Sequence, residues 1–228
     1  MEITPSRASS IILVQDTPRG VETFLIKRPA ASSFMGGFYA FPGGKVEASD
    51  SSDELLGCTE GLSWDAAKDR LGAGIAPGIP VAHWVAAIRE VFEEGGVPFA
   101  RDAAGNPISF DNKEKQQRFE RYRSLLLTKE ASFTQLLQGE HLTLMAHRLL
   151  HYEHWITPVA RSIRHDTHFS LAELPAGQTP SVDHQEINEG IWQHSTVALE
   201  ENSRGTRPLT PLPCACSTGY SRFRRYVQ

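Results

Sequence analysis

An α/β domain is the fold class that the sequence predicts, and three stretches predict it. Short β-rich runs open the chain, a helix with an apolar back and an acidic front ends near Gly95, and β-rich runs resume at Trp155. The 228 residues are enough to bury a large core and are read as one domain, 1–228. The hydrophobic fraction of 40% supplies that core without any apolar run near the roughly 20 residues that span a bilayer, so no membrane partner is expected.

Ile11-Ile12-Leu13-Val14 reads as a strand, Pro18-Arg19-Gly20 as a turn, and Val21–Lys27 as the returning strand. Gly36-Gly37 and Pro42-Gly43-Gly44 bracket a short strand at Phe38–Phe41, which suggests mixed or antiparallel sheet. Residues 51–80 are irregular and polar, with a helical piece near Leu62–Leu71. Pro80 suits the first turn of a helix, where its missing N–H is not needed. Beyond it Trp84, Val85, Ile88, Val91 and Phe92 share one side of the helical wheel. The range 111–154 reads as two or three short helices forming an insertion or cap, with Phe119, Tyr122, Leu125 and Leu126 at helical spacing. Trp155–Pro158, His168–Leu174 and Gly190–Gln193 return to sheet, and Thr196–Glu200 to helix.

Glu90, Glu93 and Glu94 carry the chemistry. Spacings of three and four place all three on one helix face, opposite the apolar side. Such a row repels itself, and a hard divalent cation removes the repulsion by taking the oxygens as ligands. Magnesium or manganese is therefore expected there, with an enzyme as the reading. A net charge of −4 gives no reason to expect a nucleic-acid partner. Arg222, Arg224 and Arg225, set among Phe223 and Tyr226, read as a solvated tail. Three cysteines make no disulfide framework, and with no basic-then-apolar start the chain is expected to be cytoplasmic.

These residues resemble the Nudix hydrolase family. Gly44 matches the opening glycine of its signature, and Arg89-Glu90-Val91-Phe92-Glu93-Glu94-Gly95-Gly96-Val97 matches the second half at every specified position. Two departures stand out: the first signature glutamate falls on Asp50, and 38 residues rather than seven separate Asp50 from Arg89. A branch of the family with mammalian and bacterial members is similar in having a split signature. Phe34-Met35, Trp155-Ile156-Thr157-Pro158 and Asp166-Thr167-His168-Phe169 also resemble that branch, and the likeness runs from about Ile11 to Leu199.

The resemblance implies an α/β/α sandwich with a mixed sheet, an insertion at 51–80 inside the signature, and dimerisation as in many members. It also implies that Glu90 and Glu94 are the main metal ligands, that Glu93 shares a second ion, and that the Gly43 carbonyl completes a site. Glu90 would orient the attacking water, Asp50 could reach the metal through water, and Glu186 would bring a further carboxylate from a loop. Arg89 is expected to pair with Glu47 or Asp50 and fix the loop against the helix. His165 and His168, near Arg161 and Arg164, have the chemistry to donate charge-assisted bonds to a diphosphate, with a plain strand position as the other reading of His168. Phe34, Phe38 and Tyr39 either stack on a base or pack in the core. His147, His151 and His154 share helical spacing, yet packing and surface roles outweigh zinc for them.

The implied reaction is hydrolysis of a phosphoanhydride in a nucleoside-diphosphate compound, with coenzyme A or acyl-coenzyme A as the substrates the branch suggests. Two alternatives stand beside it. One is a nucleotide-sugar, dinucleotide or nucleoside-triphosphate pyrophosphohydrolase; the other is a regulatory domain that binds a nucleotide without cutting it.

Overall fold

The computed structural model describes residues 3–61, 65, 67, 71, 79–182, 187 and 189–211. Strand β1 (Ser6–Thr17) is the middle of the main sheet. Its side chains alternate between two cores: Ile11 and Leu13 enter one, Ile12 and Val14 the other. Both faces are covered, which is why the strand reads as a continuous apolar run rather than an alternating one.

Strands β2 (Gly20–Lys27), β3 (Tyr39–Ala40), β4 (Gly43–Lys45), β7 (Leu150–Ile156), β8 (His165–Glu173) and β9 (Gly190–His194) complete this sheet. The path runs β3-β2-β1-β8-β7, with β4 also on β1 and β9 on β2. Pairing is antiparallel except between β1 and β8, so the sheet is mixed. A separate two-stranded ribbon joins β5 (Ala100–Arg101) to β6 (Thr143–Leu144).

Before that ribbon come α1 (Asp53–Gly57) and the longer α2 (Ile79–Gly95). Trp84, Val85, Ile88, Val91 and Phe92 of α2 are at most 1% exposed, which places the apolar back of the helix against the sheet. Helix α2 stops where it must. Gly96 takes φ +69°, its N–H bonds Phe92 O at 2.8 Å, and the next residue, Val97, is fully buried. A left-handed residue after the last turn is the ordinary glycine cap, and a β-carbon there would be strained. On the opposite face α5 (Ser195–Ser203) contributes Ala198 to the second core, giving helix, sheet and helix layers.

The range 111–154 differs from its expected helical character. Helices α3 (Lys113–Leu127) and α4 (Phe133–Gly139) form, capped by the side chains of Asn112 and Ser132. Then come β6, a 3-10 turn at Ala146–Arg148 and strand β7. Short leucine pairs fit either period; pairing of β7 with β8, from Leu150↔Leu171 to Ile156↔Asp166, decides for sheet. Nor does the segment stand off as a cap, because Phe119, Leu126, Phe133, Leu136 and Leu137 lie in the same core as α2.

Of the helix expected over 62–71, residues 65, 67 and 71 are described, all helical. Glu186 and the residues after 211, including Cys214, Cys216 and the arginines near the end, lie outside the described residues.

Candidate metal and phosphate site

Strand β4 lies on the first half of β1, with Ser10↔Gly43, Ser9↔Gly44 and Ala8↔Lys45 in register. This pairing sets the glycine loop beside the last two turns of α2. Glu94 closes the contact: its Oε2 accepts the Gly43 N–H at 2.7 Å. Glu90 sits directly on Gly44. A β-carbon at that position would lie 2.4 Å from Glu90 Oε1 and 2.6 Å from Oε2, so the carboxylate occupies the space a larger residue would fill. The acidic face of α2 thus points at the loop.

Arg89 organises the rest. Nε donates to Asp50 Oδ1 at 2.9 Å and Nη2 to Asp50 Oδ2 at 3.1 Å, the two-pronged pairing a guanidinium makes best. Nη1 donates to Glu90 Oε1 at 2.8 Å and to Glu93 Oε2 at 3.0 Å, and Nη2 also reaches Lys45 O at 2.9 Å. Burial works against the arginine's charge, but the Asp50 hydrogen bond and the surrounding carboxylates outweigh it and raise its pKa. Asp50 is fully buried, and its Oδ2 accepts the Glu47 N–H at 2.8 Å as well. Both its oxygens are therefore taken, by the arginine and by the Glu47 N–H. The two halves of the split signature meet in this fork.

One guanidinium faces three carboxylates. Burial pushes the Glu90 carboxyl up to about 7, with Arg89 pulling it down and Glu93 pushing it further up. Glu93 is raised for the same first reason. An excess of desolvated hard oxygens is a donor set that suits a small hard divalent cation. Glu90, Glu93 and Glu94 are the residues that could hold it.

The other expected contacts are dispersed. Arg164 is buried, and it donates to Thr157 O at 3.0 Å and Ile3 O at 2.6 Å, bonds that tie β8 to the chain's start. His165 Nδ1 lies 3.0 Å from Ser6 Oγ and its ring meets the edge of Phe34. Burial, then Lys45 and Arg28, lower its pKa. Phe38 is half-buried in the turn before β3, its carbonyl accepting the Arg28 N–H. His168 is buried and joins a group of imidazoles that the sequence did not assemble.

That group lies one strand over from the glutamates. His83 of α2 holds Ser9 Oγ at 2.8 Å through Nδ1 and meets His168 at a ring distance of 4.5 Å. His154 stacks flat on His168, 4.1 Å away at 4°, and its Nε2 contacts Asp166 Oδ1 at 2.5 Å. Among the described residues, His154, Asp166 and His168 each offer a ligand atom within 4.8 Å of the others, a cluster that could hold a metal ion. The phrases His151–His154 and Asp166–His168 were the only signal for it, and helical spacing was the wrong frame.

Two cavities lie elsewhere. One of about 570 Å³ is lined by Arg19, Glu22 and Trp192; another of about 280 Å³ is lined by Phe92, Phe119 and Arg123. Phe92 belongs to the core side of α2, so the second cavity sits behind the helix rather than on its acidic face.

The layering, the glycine loop and the acidic helix together define the class: this is the Nudix hydrolase fold. A Nudix hydrolase from Alicyclobacillus acidocaldarius superposes with a TM-score of 0.76 over 94% of this chain and 90% of that chain, at 21% identity. Among curated proteins the chain is similar to two named acyl-coenzyme A diphosphatase NUDT19. It is 28% identical over 220 residues to the Xenopus laevis protein, covering 82% of this chain and 56% of that one. Against the Gallus gallus protein it is 29% identical over 215 residues, covering 80% and 56%. The chain thus spans little more than half the length of these curated relatives. No protein-family model matches it. No helix among the described residues is long and apolar enough to cross a membrane.

Proposed function

We propose that the chain is a metal-dependent hydrolase that cuts the diphosphate of coenzyme A or its acyl thioesters. The observation that carries the hydrolase reading is the seating of Glu90 and Glu94 on Gly44 and Gly43. The homology to proteins named acyl-coenzyme A diphosphatase supports the choice of substrate.

Glu90, Glu93 and Glu94, with the Gly43 carbonyl, would hold magnesium or manganese. When bound, such a cation screens phosphoryl charge and lowers the pKa of a coordinated water. Arg89 fixes Glu90 and Glu93 by one shared nitrogen and is itself fixed by Asp50, so it acts as a positioning residue. Glu90, seated against Gly44 at the centre of this donor set, would orient the attacking water. The buried position of Asp50 gives it a supporting role through Arg89.

The test is a panel of coenzyme A, acyl-coenzyme A, ADP-ribose, NADH and nucleoside triphosphates with magnesium or manganese, scored by product mass. Phosphopantetheine or its acyl form, plus an adenosine bisphosphate, is the expected product pair. Glu94→Gln should lower turnover by at least about 10²-fold with the fold retained, since it removes a charged ligand from the reacting centre. Full activity in that variant would reject the assigned site. Failure of the folded, metal-loaded protein on every substrate would favour a nucleotide-binding domain instead.

A further inference from the structure

We infer that His154, Asp166 and His168 form a second cation site, separate from the glutamates and selective for a transition metal such as zinc.

The fold builds this cluster by a specific device. In a regular strand, residues three apart point to opposite faces, so His151 and His154 would diverge. Strand β7 carries a register shift between His151 and Glu153. One extra residue at such a bulge flips the alternation, and both imidazoles then reach His168. His154 stacks on it, while His151 Nε2 lies 3.3 Å from His168 Nδ1. Asp166 is two residues before His168 on β8, hence on the same face, and it contacts His154 Nε2 at 2.5 Å. Two imidazoles and a carboxylate are thereby gathered within 4.8 Å.

The chemistry of this donor set differs from that of the loop-helix site. Imidazole nitrogens select borderline transition ions, whereas an all-oxygen set suits magnesium or manganese. Coordination takes neutral imidazole, the ordinary form of histidine at pH 7.5. Supporting contacts are in place: His151 beside His168, and His83 on Ser9 with its ring edge toward His168. Metal-binding histidines are commonly oriented by such neighbours. Access is open on one side, because the His154 side chain is 40% exposed and that of Asp166 33%. The two sites are distinct. Ser9 pairs with Gly44 on one side and His168 on the other, so one strand lies between them, a separation of about 10 Å at ordinary strand spacing. Across the sheet edge, a bound ion would fasten β7 to β8.

Cobalt(II) is the probe, titrated into the purified chain at pH 7.5 with millimolar magnesium present to occupy the glutamates. A visible absorption band of a low-coordinate nitrogen–oxygen site should appear and saturate at about one equivalent, and zinc should displace it. His154→Ala, at an exposed side chain, and Asp166→Asn should each weaken cobalt binding by about tenfold or more. Glu90→Gln combined with Glu94→Gln should leave the band unchanged. The proposal is overturned if no band forms with the folded protein, or if the band survives His154→Ala and Asp166→Asn but vanishes in the glutamate double variant. Since the readout is independent of turnover, a failed hydrolase reading would not affect it.

Discussion

Helix α2 serves two polar neighbourhoods on one side, seven residues apart, and they solve burial in opposite ways. Around Glu90 burial raises the acids, and a buried guanidinium that binds three carboxylates gathers them. Around His83 charge is given up. Burial lowers His83 to about 4 and His168 to about 3, and the rings pack edge-on and face-on as neutral aromatics. The first arrangement depends on a single cation and should fail sharply without it. The second depends on deprotonation and should fail gradually with acid.

The largest effect should come from Arg89. Arg89→Met strips the partner from fully buried Asp50 and from Glu90 and Glu93 together. Breaking a buried pair from one side costs about 3–5 kcal/mol, to be read as a fall in the urea midpoint at pH 7.5. An unchanged midpoint would show that the arginine is not what reconciles the acids.

Next in size is a pH effect that separates the two neighbourhoods. His83 titrates at about 4 when folded against an ordinary 6.5, burial prevailing over the nearby Asp166. The unfolded chain therefore takes the proton first, and stability is lost as pH falls from 6.5, with the loss complete near 4, roughly 3 kcal/mol. Glu90, at about 7 against 4.5, has the reverse sign: its contribution is full below 4.5 and lost as pH rises through 7. In the intact protein the two trends offset each other over much of this range. Urea midpoints from pH 4 to 8 should show Glu90→Gln losing stability on acidification more steeply than the parent, and His83→Gln losing less. Parallel profiles for all three would refute the opposition.

Gly44→Ala should be the mildest for stability and still informative. The new methyl would press on the Glu90 carboxylate rather than on backbone, and swinging it aside strains its bond to Arg89, so the cost should be about 1–2 kcal/mol. Turnover should suffer more, by about 10²-fold, because a shift of about 1 Å at the reacting centre is that expensive. Calorimetry and product assay on the same sample measure both.

The contrast also governs what the sequence could show. The acidic unit is local: Glu90, Glu93 and Glu94 sit within two turns, their glycine loop announces itself, and the apolar back of α2 follows from periodicity. Pairing of Arg89 with Asp50 is one of the two options the sequence offers, since Arg89 lies one residue off the acidic row. Strands β1, β2, β8 and β9 were equally legible from their apolar runs and turns. The imidazole cluster was not, because its members come from α2, β7 and β8 and meet only through sheet pairing. Spacing of 147, 151 and 154 suggested a helix that long-range pairing with β8 overrode. Arg164 misled in a related way: its charge suggested phosphate, while its geometry spends the guanidinium on backbone carbonyls.

The Asp50–Arg89 fork has a consequence for how such chains diversify. Because it ties Asp50 to Arg89, the 38 residues between them, which include α1 and the first turns of α2, are anchored at both ends and the acids stay in place. Closing a loop of that size instead of one of seven adds only about 1.5 kcal/mol of chain entropy, as the penalty grows with the logarithm of length. A clamp of this kind lets the connection differ in length at little entropic cost while the chemistry beside it stays put.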